Sequence, residues 1–151
     1  MYVQAKTIHR FFSRETQVEI DIRAEPDRIW SLLVDAVGYP KWNSTVISID
    51  GEIGLGKKLK LKSTLDPKRT FALTVREFLP PERLVWGDAM GKRTYTLTKK
   101  GQDTVTFSMH EKIGGPIFPL FARMIPSFDA SFDQFAADLK KKAESSSGAQ
   151  S

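Results

Sequence analysis

Residues 116–142 read Pro-Ile-Phe-Pro-Leu-Phe-Ala-Arg-Met-Ile-Pro-Ser-Phe-Asp-Ala-Ser-Phe-Asp-Gln-Phe-Ala-Ala-Asp-Leu-Lys-Lys-Lys, and their apolar positions decide the fold. Ile117, Phe121, Met124, Phe128, Phe132, Phe135 and Leu139 recur at steps of three or four, the stripe that one face of an α-helix presents. Arg123, Asp133, Asp138 and Lys140 mark the wet side. A phenylalanine-rich stripe must lie on an apolar partner, which the preceding strands supply. Pro126 falls mid-pattern without the amide donor that an interior helical position needs. The spacing therefore predicts a short piece over residues 117–125 and a long one over 127–142.

Upstream, residues 16–22 alternate strictly, with Val18, Ile20 and Ile22 on one face and Glu19 and Asp21 on the other, as a half-buried strand does. Pro26 and Asp27 suit a first helical turn, and Trp30, Leu33, Val34 and Val37 follow at helical spacing until Gly38. Residues 39–43 read as a turn or second short helix that returns Tyr39 and Trp42 to the core. Strand patterns then succeed one another: Ile47 and Ile49; Leu59, Leu61 and Leu65 against Lys58, Lys60 and Lys62; Phe71, Leu73 and Val75; Leu84, Val85 and Trp86; Tyr95 and Leu97; Val105, Phe107 and Met109. The connections are mostly short turns, which predicts antiparallel pairing. The expected class is α+β: a seven-stranded curved antiparallel sheet wrapped around a long C-terminal helix, with two short helices between strands 1 and 2. Residues 1–15 are expected as an N-terminal arm, 16–142 as one domain and 143–151 as a disordered tail.

A chain of 151 residues, 40% hydrophobic and 27% charged, can bury a core without staples. No apolar run approaches the roughly 18 residues of a membrane span, so no stable membrane insertion is expected. The absence of cysteine excludes disulfides, thiolate nucleophiles and Cys-ligated zinc. Without a signal-like apolar core at the N-terminus, the expected location is cytoplasmic. The formal charge of +5 raises the question of nucleic acid, but the basic pairs fall at turns and strand faces and the aromatics sit in apolar alternation. The charge reads as a solvated surface, with no nucleic-acid partner.

Residues 24–33, Ala-Glu-Pro-Asp-Arg-Ile-Trp-Ser-Leu-Leu, followed by Tyr39-Pro40-Lys41-Trp42, resemble the opening signature of the START-like superfamily (SRPBCC), which includes polyketide cyclase/dehydratase and lipid-transport domains. Residues 77–86, Glu-Phe-Leu-Pro-Pro-Glu-Arg-Leu-Val-Trp, resemble its middle signature. The resemblance covers residues 16–142 and implies the helix-grip fold, with a gap between bent sheet and helix suited to a hydrophobic ligand such as a lipid, quinone or polyketide. Its members include ligand carriers, cyclases and chaperone activators, so the fold alone does not fix the activity.

The gap is expected to be lined by Leu61, Leu73, Trp86, Tyr95, Phe107, Met109, Phe121, Phe128 and Phe132, with Trp42 at an opening formed by residues 39–42 and the elbow at 119–126. The competing reading is that these side chains fill the core. Glu111 is in phase with Phe107 and Met109, which makes it either the end of a strand leaving the core or a pocket acid. Glu77 raises the same question, and Arg93, in phase with Tyr95, is either a cavity partner for an anion or carbonyl or a solvated turn residue. Glu111, Tyr95 and Arg93 are thus the catalytic candidates if the chain is an enzyme. His110 and Ser108 share one strand face without the third group or oxyanion donors of a hydrolase. With His9 as the second of two histidines, an iron site is hard to build, and neither metal nor cofactor is expected. The run Gly51–Lys57 lacks the Ser or Thr and the following helix of a phosphate loop and reads as a hairpin turn. The remaining alternative role is an interaction module in which the lysine strand 58–62 meets an acidic partner.

Overall fold

A computed structural model describes residues 4–149; residues 1–3 of the expected arm and 150–151 of the expected tail lie outside the described residues. The strands are β1 (Lys6–His9), β2 (Ser13–Ile22), β3 (Val46–Asp50), β4 (Lys58–Ser63), β5 (Phe71–Leu79), β6 (Arg83–Gly87), β7 (Gly91–Lys99) and β8 (Val105–Gly114). Helices α1 (Pro26–Leu33) and α2 (Tyr39–Trp42) lie between β2 and β3, and α3 (Phe118–Phe121), a 3-10 turn (Ala122–Met124) and α4 (Asp129–Ala149) follow β8. Among the described residues, eight strands form one curved antiparallel sheet in the order β1-β2-β8-β7-β6-β5-β4-β3. The fold is helix-grip α+β, with α4 in the concave face. No described helix is long and apolar enough to cross a membrane.

Alternation decides which face each strand buries. On β2, Arg14, Thr16, Val18, Ile20 and Ile22 are buried while Gln17 and Glu19 are exposed. Register shifts in β3 between Val46 and Ser48 and in β5 between Val75 and Glu77 add local twist, as bulges do, and help the sheet to bend. One end of the hollow is closed by α1, whose Trp30 ring meets Phe78 of β5 edge-on at 5.5 Å.

Helix α4 closes the opposite side. Phe132, Phe135, Ala136, Leu139 and Ala143 are buried at helical spacing. The Phe135 ring stacks on Phe107 at 6.1 Å and on Tyr95 at 5.8 Å, and Tyr95 and Phe107 stack at 6.3 Å, so one aromatic layer joins the helix to β7 and β8. Polar bonds fix its height: Lys140 donates to the Asp21 carbonyl (2.9 Å), Asn43 to the Phe135 carbonyl (3.4 Å), and the Ser44 amide to Asp138 (2.8 Å). Asn43 is 1% exposed, so the Asn-Ser-Thr triplet offers no accessible acceptor for a glycan.

Three expectations are corrected. The sheet has eight strands because the arm supplies β1: the Ala5 amide donates to Asp133 at 2.6 Å, and the Thr7 hydroxyl donates to Asp129, so the first turns of α4 hold a segment too short to show alternation. The segment expected as a tail is helical as far as it is described, because Ala143 continues the buried stripe and Glu144 accepts from the Arg23 amide (2.9 Å) and Lys140 (2.7 Å). The apolar stripe does not run unbroken through residues 117–128. Ile117 and Met124 are exposed and Phe118 is buried instead, because Gly115 (φ +143°), Pro119 and Pro126 each reset the helical phase.

The aromatic layer yields a test. Replacing Phe135 by Ala should lower the unfolding free energy by about 3–5 kcal/mol, whereas Leu120→Ala should stay within about 0.5 kcal/mol, both read by urea denaturation.

Candidate functional site

Helix α4 covers β2, β8 and the near side of β7, which leaves the hollow over β4, β5 and β6 unfilled. A cavity of about 520 Å3 occupies it. Leu61, Phe71, Leu73 and Trp86 form its sheet wall, Ile113 and Phe121 its side, Phe128 its helix wall, and Tyr39, Val46 and Ile49 its floor. Asp66, Arg69, Lys92, Ile117, Met124 and Pro126 are the exposed members of the lining and mark the mouth. The β6–β7 hairpin borders it closely; a side chain at Gly87 would meet the Gly91 carbonyl at 2.3 Å, and the Asp88 carboxylate accepts the amides of Met90 (2.8 Å) and Gly91 (3.0 Å).

A charged pair is set into this mainly apolar lining. Arg93 and Glu111 are direct cross-strand partners on β7 and β8, and Arg93 Nε donates to Glu111 Oε1 at 2.6 Å. Their side chains are 19% and 18% exposed, so the pair is largely withdrawn from water. Burial alone would lower the Arg93 pKa, but Glu111 and the Tyr95 hydroxyl outweigh it and the guanidinium stays charged. Burial raises the Tyr95 pKa and Glu111 adds to the rise, against the opposing charge of Arg93, so Tyr95 is a neutral phenol at pH 7. Tyr39 is raised well above its ordinary value, chiefly by burial, and donates to the Leu33 carbonyl at 2.7 Å.

A second arginine bounds the site from behind. Arg14 is 7% exposed and donates to the carbonyls of Ile125 (3.2 Å) and Pro126 (2.8 Å), which the interrupted helix leaves open. Its guanidinium lies 5.1 Å over the Phe128 ring, Phe128 stacks on Phe132 at 6.1 Å, and Arg93 lies 5.0 Å over Phe132. Two cations thus flank a phenylalanine pair. Burial lowers the Arg14 pKa, while Glu111 and Asp129 oppose the fall.

Leu61, Leu73, Trp86, Tyr95, Phe121 and Phe128 line the cavity together. Phe107, Met109 and Phe132 do not line it; each is completely buried in the core under α4. Trp42 is not at the opening. It packs at 5.0 Å on Tyr39 and 5.9 Å on Phe135, with its indole Nε1 buried and unpartnered, and Tyr39 is the wholly buried floor. The mouth lies instead between the 117–126 segment and the turns before β5 and β7. Glu111 faces the cavity because β8 runs on to Gly114, and Arg93 is a mid-wall residue rather than a solvated turn residue. Glu77 sits apart, paired on the surface with Arg83 at 2.8 Å. His110 is on the outer face and contacts Glu15 at 2.8 Å. Among the described residues no group of His, Asp and Glu is placed to hold a metal ion.

Sequence reasoning missed Arg14, which lies within the segment read as an arm. Its signal was present: Arg14 and Thr16 extend the inward phase of Val18, Ile20 and Ile22.

Comparisons with known proteins agree with this geometry. The family model for "polyketide cyclase / dehydrase and lipid transport" matches residues 13–144. A START superfamily protein from Mycobacterium smegmatis superposes with a TM-score of 0.64 at 14% identity, covering 87% of this chain and 97% of that one. Norcoclaurine synthase from Thalictrum flavum gives 0.68 at 12% identity over 95% and 99%. The di-domain ARO/CYC protein StfQ of the steffimycin biosynthetic pathway gives 0.67 at 15% identity over 92% of this chain and 53% of that one. At these identities the likeness concerns the fold. No curated protein matches the chain.

Two outcomes are expected of the polar group. Arg93→Met leaves the Glu111 carboxylate unpaired and should cost about 2–3 kcal/mol of stability, and adding Glu111→Gln should restore part of it in a double-mutant cycle. Tyr39 and Tyr95 keep their protons in the folded state beyond pH 10, where an unfolded tyrosine loses its own. The stability they contribute is complete below that pH and is lost as pH rises toward the folded values. Tyr95→Phe should therefore flatten the alkaline fall in unfolding free energy.

Proposed function

The chain belongs to the polyketide cyclase/dehydrase and lipid transport family, and on that premise we propose that it binds a hydrophobic small molecule in the cavity between sheet and helix. The observation that carries the reading is the cavity of about 520 Å3 with its mainly apolar walls and the Arg93–Glu111 pair, largely withdrawn from water, set into them. That volume falls in the range of ligand pockets, roughly 300–1,000 Å3, which combine apolar lining with a few convergent polar groups. A lipid, quinone or polyketide tail fits against Leu61, Phe71, Leu73 and Phe128, while a carbonyl or carboxylate end meets Arg93 and Tyr95.

A second reading, a cyclase or dehydratase in the same cavity, is favoured by one observation: a neutral phenol beside a guanidinium, both facing the cavity. Such donors polarise a carbonyl oxygen as charge develops on it. Glu111 then serves as the acceptor that orients Arg93. A pure interaction module built on Lys58, Lys60 and Lys62 needs no such void and gains no support from it.

Native mass spectrometry of protein taken from cells should show a bound species, and titration with decanoic acid, palmitic acid, menadione and naphthol should give saturable binding of at least one. Leu61→Trp with Leu73→Trp should weaken that binding by roughly tenfold or more while the protein stays folded, because the added rings occupy the wall where a ligand lies. No bound mass and no saturable probe would sink the binding reading. Turnover abolished by Tyr95→Phe with binding retained would select the enzyme.

A further inference from the structure

The cavity mouth carries a surface feature that the binding reading does not use. Phe11 and Phe12, in the β1–β2 turn, are 70% and 55% exposed, with their rings in edge contact at 4.7 Å. In the segment that follows β8, Leu120 and Met124 are 83% and 80% exposed. Two sets of bonds tie the 115–126 segment to the root of this hairpin: the Gly115 amide donates to the Phe12 carbonyl at 3.0 Å, and Arg14 holds the Ile125 and Pro126 carbonyls. Exposed Val37, Leu55 and Leu79 lie elsewhere, on other loops and strands, and are the isolated kind that needs no explanation.

Charge identifies what covers this rim. The register sets Ile8 of β1, Glu15 of β2, Lys112 of β8 and, at the cavity mouth, Lys92 of β7 in one row across the strands. Lys92 and Lys112 are direct cross-strand neighbours of like charge, an unfavourable pairing. Neither closes an ion pair among the described residues, and nor does Arg123 of the 3-10 turn. Glu15 is the acid within reach, and it is taken up by Arg10 (2.9 Å) and His110 (2.8 Å). A second copy meeting this rim about a two-fold axis would bring like charges together. A bilayer with anionic headgroups meets both needs: aromatic and aliphatic side chains enter the interface, and the cations lie on the charged plane.

We propose that the rim formed by the Phe11–Phe12 turn and the Leu120–Met124 segment docks on an anionic lipid bilayer, turning the cavity mouth toward the membrane surface. The docking is peripheral and stands independently of what fills the cavity.

The test is co-sedimentation of the full chain with vesicles of phosphatidylcholine alone and of phosphatidylcholine mixed with phosphatidylglycerol. Binding to the mixed vesicles should exceed binding to the neutral ones by roughly tenfold or more and should weaken as salt is added. Lys92→Gln with Lys112→Gln should lower it by roughly tenfold. Phe11→Ser with Phe12→Ser should do the same, with thermal melts confirming the fold. Leu120→Ser, at the most exposed of these positions, reads the same surface if the hairpin variant melts early. Equal binding to both vesicle types, no binding, or binding indifferent to these variants would overturn the proposal. So would light scattering showing a dimer that Phe11→Ser with Phe12→Ser dissolves, since the patch would then belong to a second copy.

Discussion

The stacking of Phe135 on Tyr95 and Phe107 is the contact on which the rest of the molecule depends. It fixes α4 over the β2–β8–β7 side of the sheet rather than along its midline. Rings at these separations bury large areas and prefer particular mutual orientations, so they set both the distance and the angle of the helix. A sheet of eight strands is wider than one helix, and α1 reaches only the end near Phe78. The hollow over β4, β5 and β6 is therefore left over by geometry. Tyr95 belongs to both regions, with its ring in the aromatic layer and its place in the cavity wall, so the rigidity of the core passes directly to the site.

The polar group is held in place by the same elements. Arg93 lies over Phe132 on α4 and bonds Glu111 on β8, which fixes its guanidinium from two sides. A buried charge without such partners would be expelled or neutralised. Arg14 plays the corresponding part at the helix break. It occupies the Ile125 and Pro126 carbonyls that would otherwise be unmet, and it lies over Phe128, so the break is built into the wall of the cavity.

Much of this architecture is legible in the residues. Alternation in β2, β4, β7 and β8 and the Phe132, Phe135, Leu139 spacing in α4 survive because each element packs one face on the core, and periodicity reports one-sided packing directly. The sequence is less informative where phase is reset by local backbone chemistry. Ile117 and Met124 fit the stripe on paper, but Pro119, Pro126 and Gly115 rotate them outward and bring Phe118 in. The strand β1 was hidden because four residues carry too little pattern, and its pairing depends on Asp129 and Asp133 from the other end of the chain. Within the site, inward phase finds Leu61, Leu73, Trp86 and Tyr95, yet it also selects Phe107 and Met109. Phase gives the face of a strand and not which part of that face the helix covers.

The helix break connects these observations. Pro126 cannot donate to the carbonyl four residues back, and Arg14 takes the Ile125 and Pro126 carbonyls, which lie in the non-helical link before α4, so the interruption is held rather than frayed. The 117–126 segment then lines the mouth with Phe121, Ile125 and Pro126 while presenting Leu120 to the outside. Gly115, Pro119 and Pro126 together thereby place this segment at the opening of the cavity and turn its apolar side chains to the outer rim.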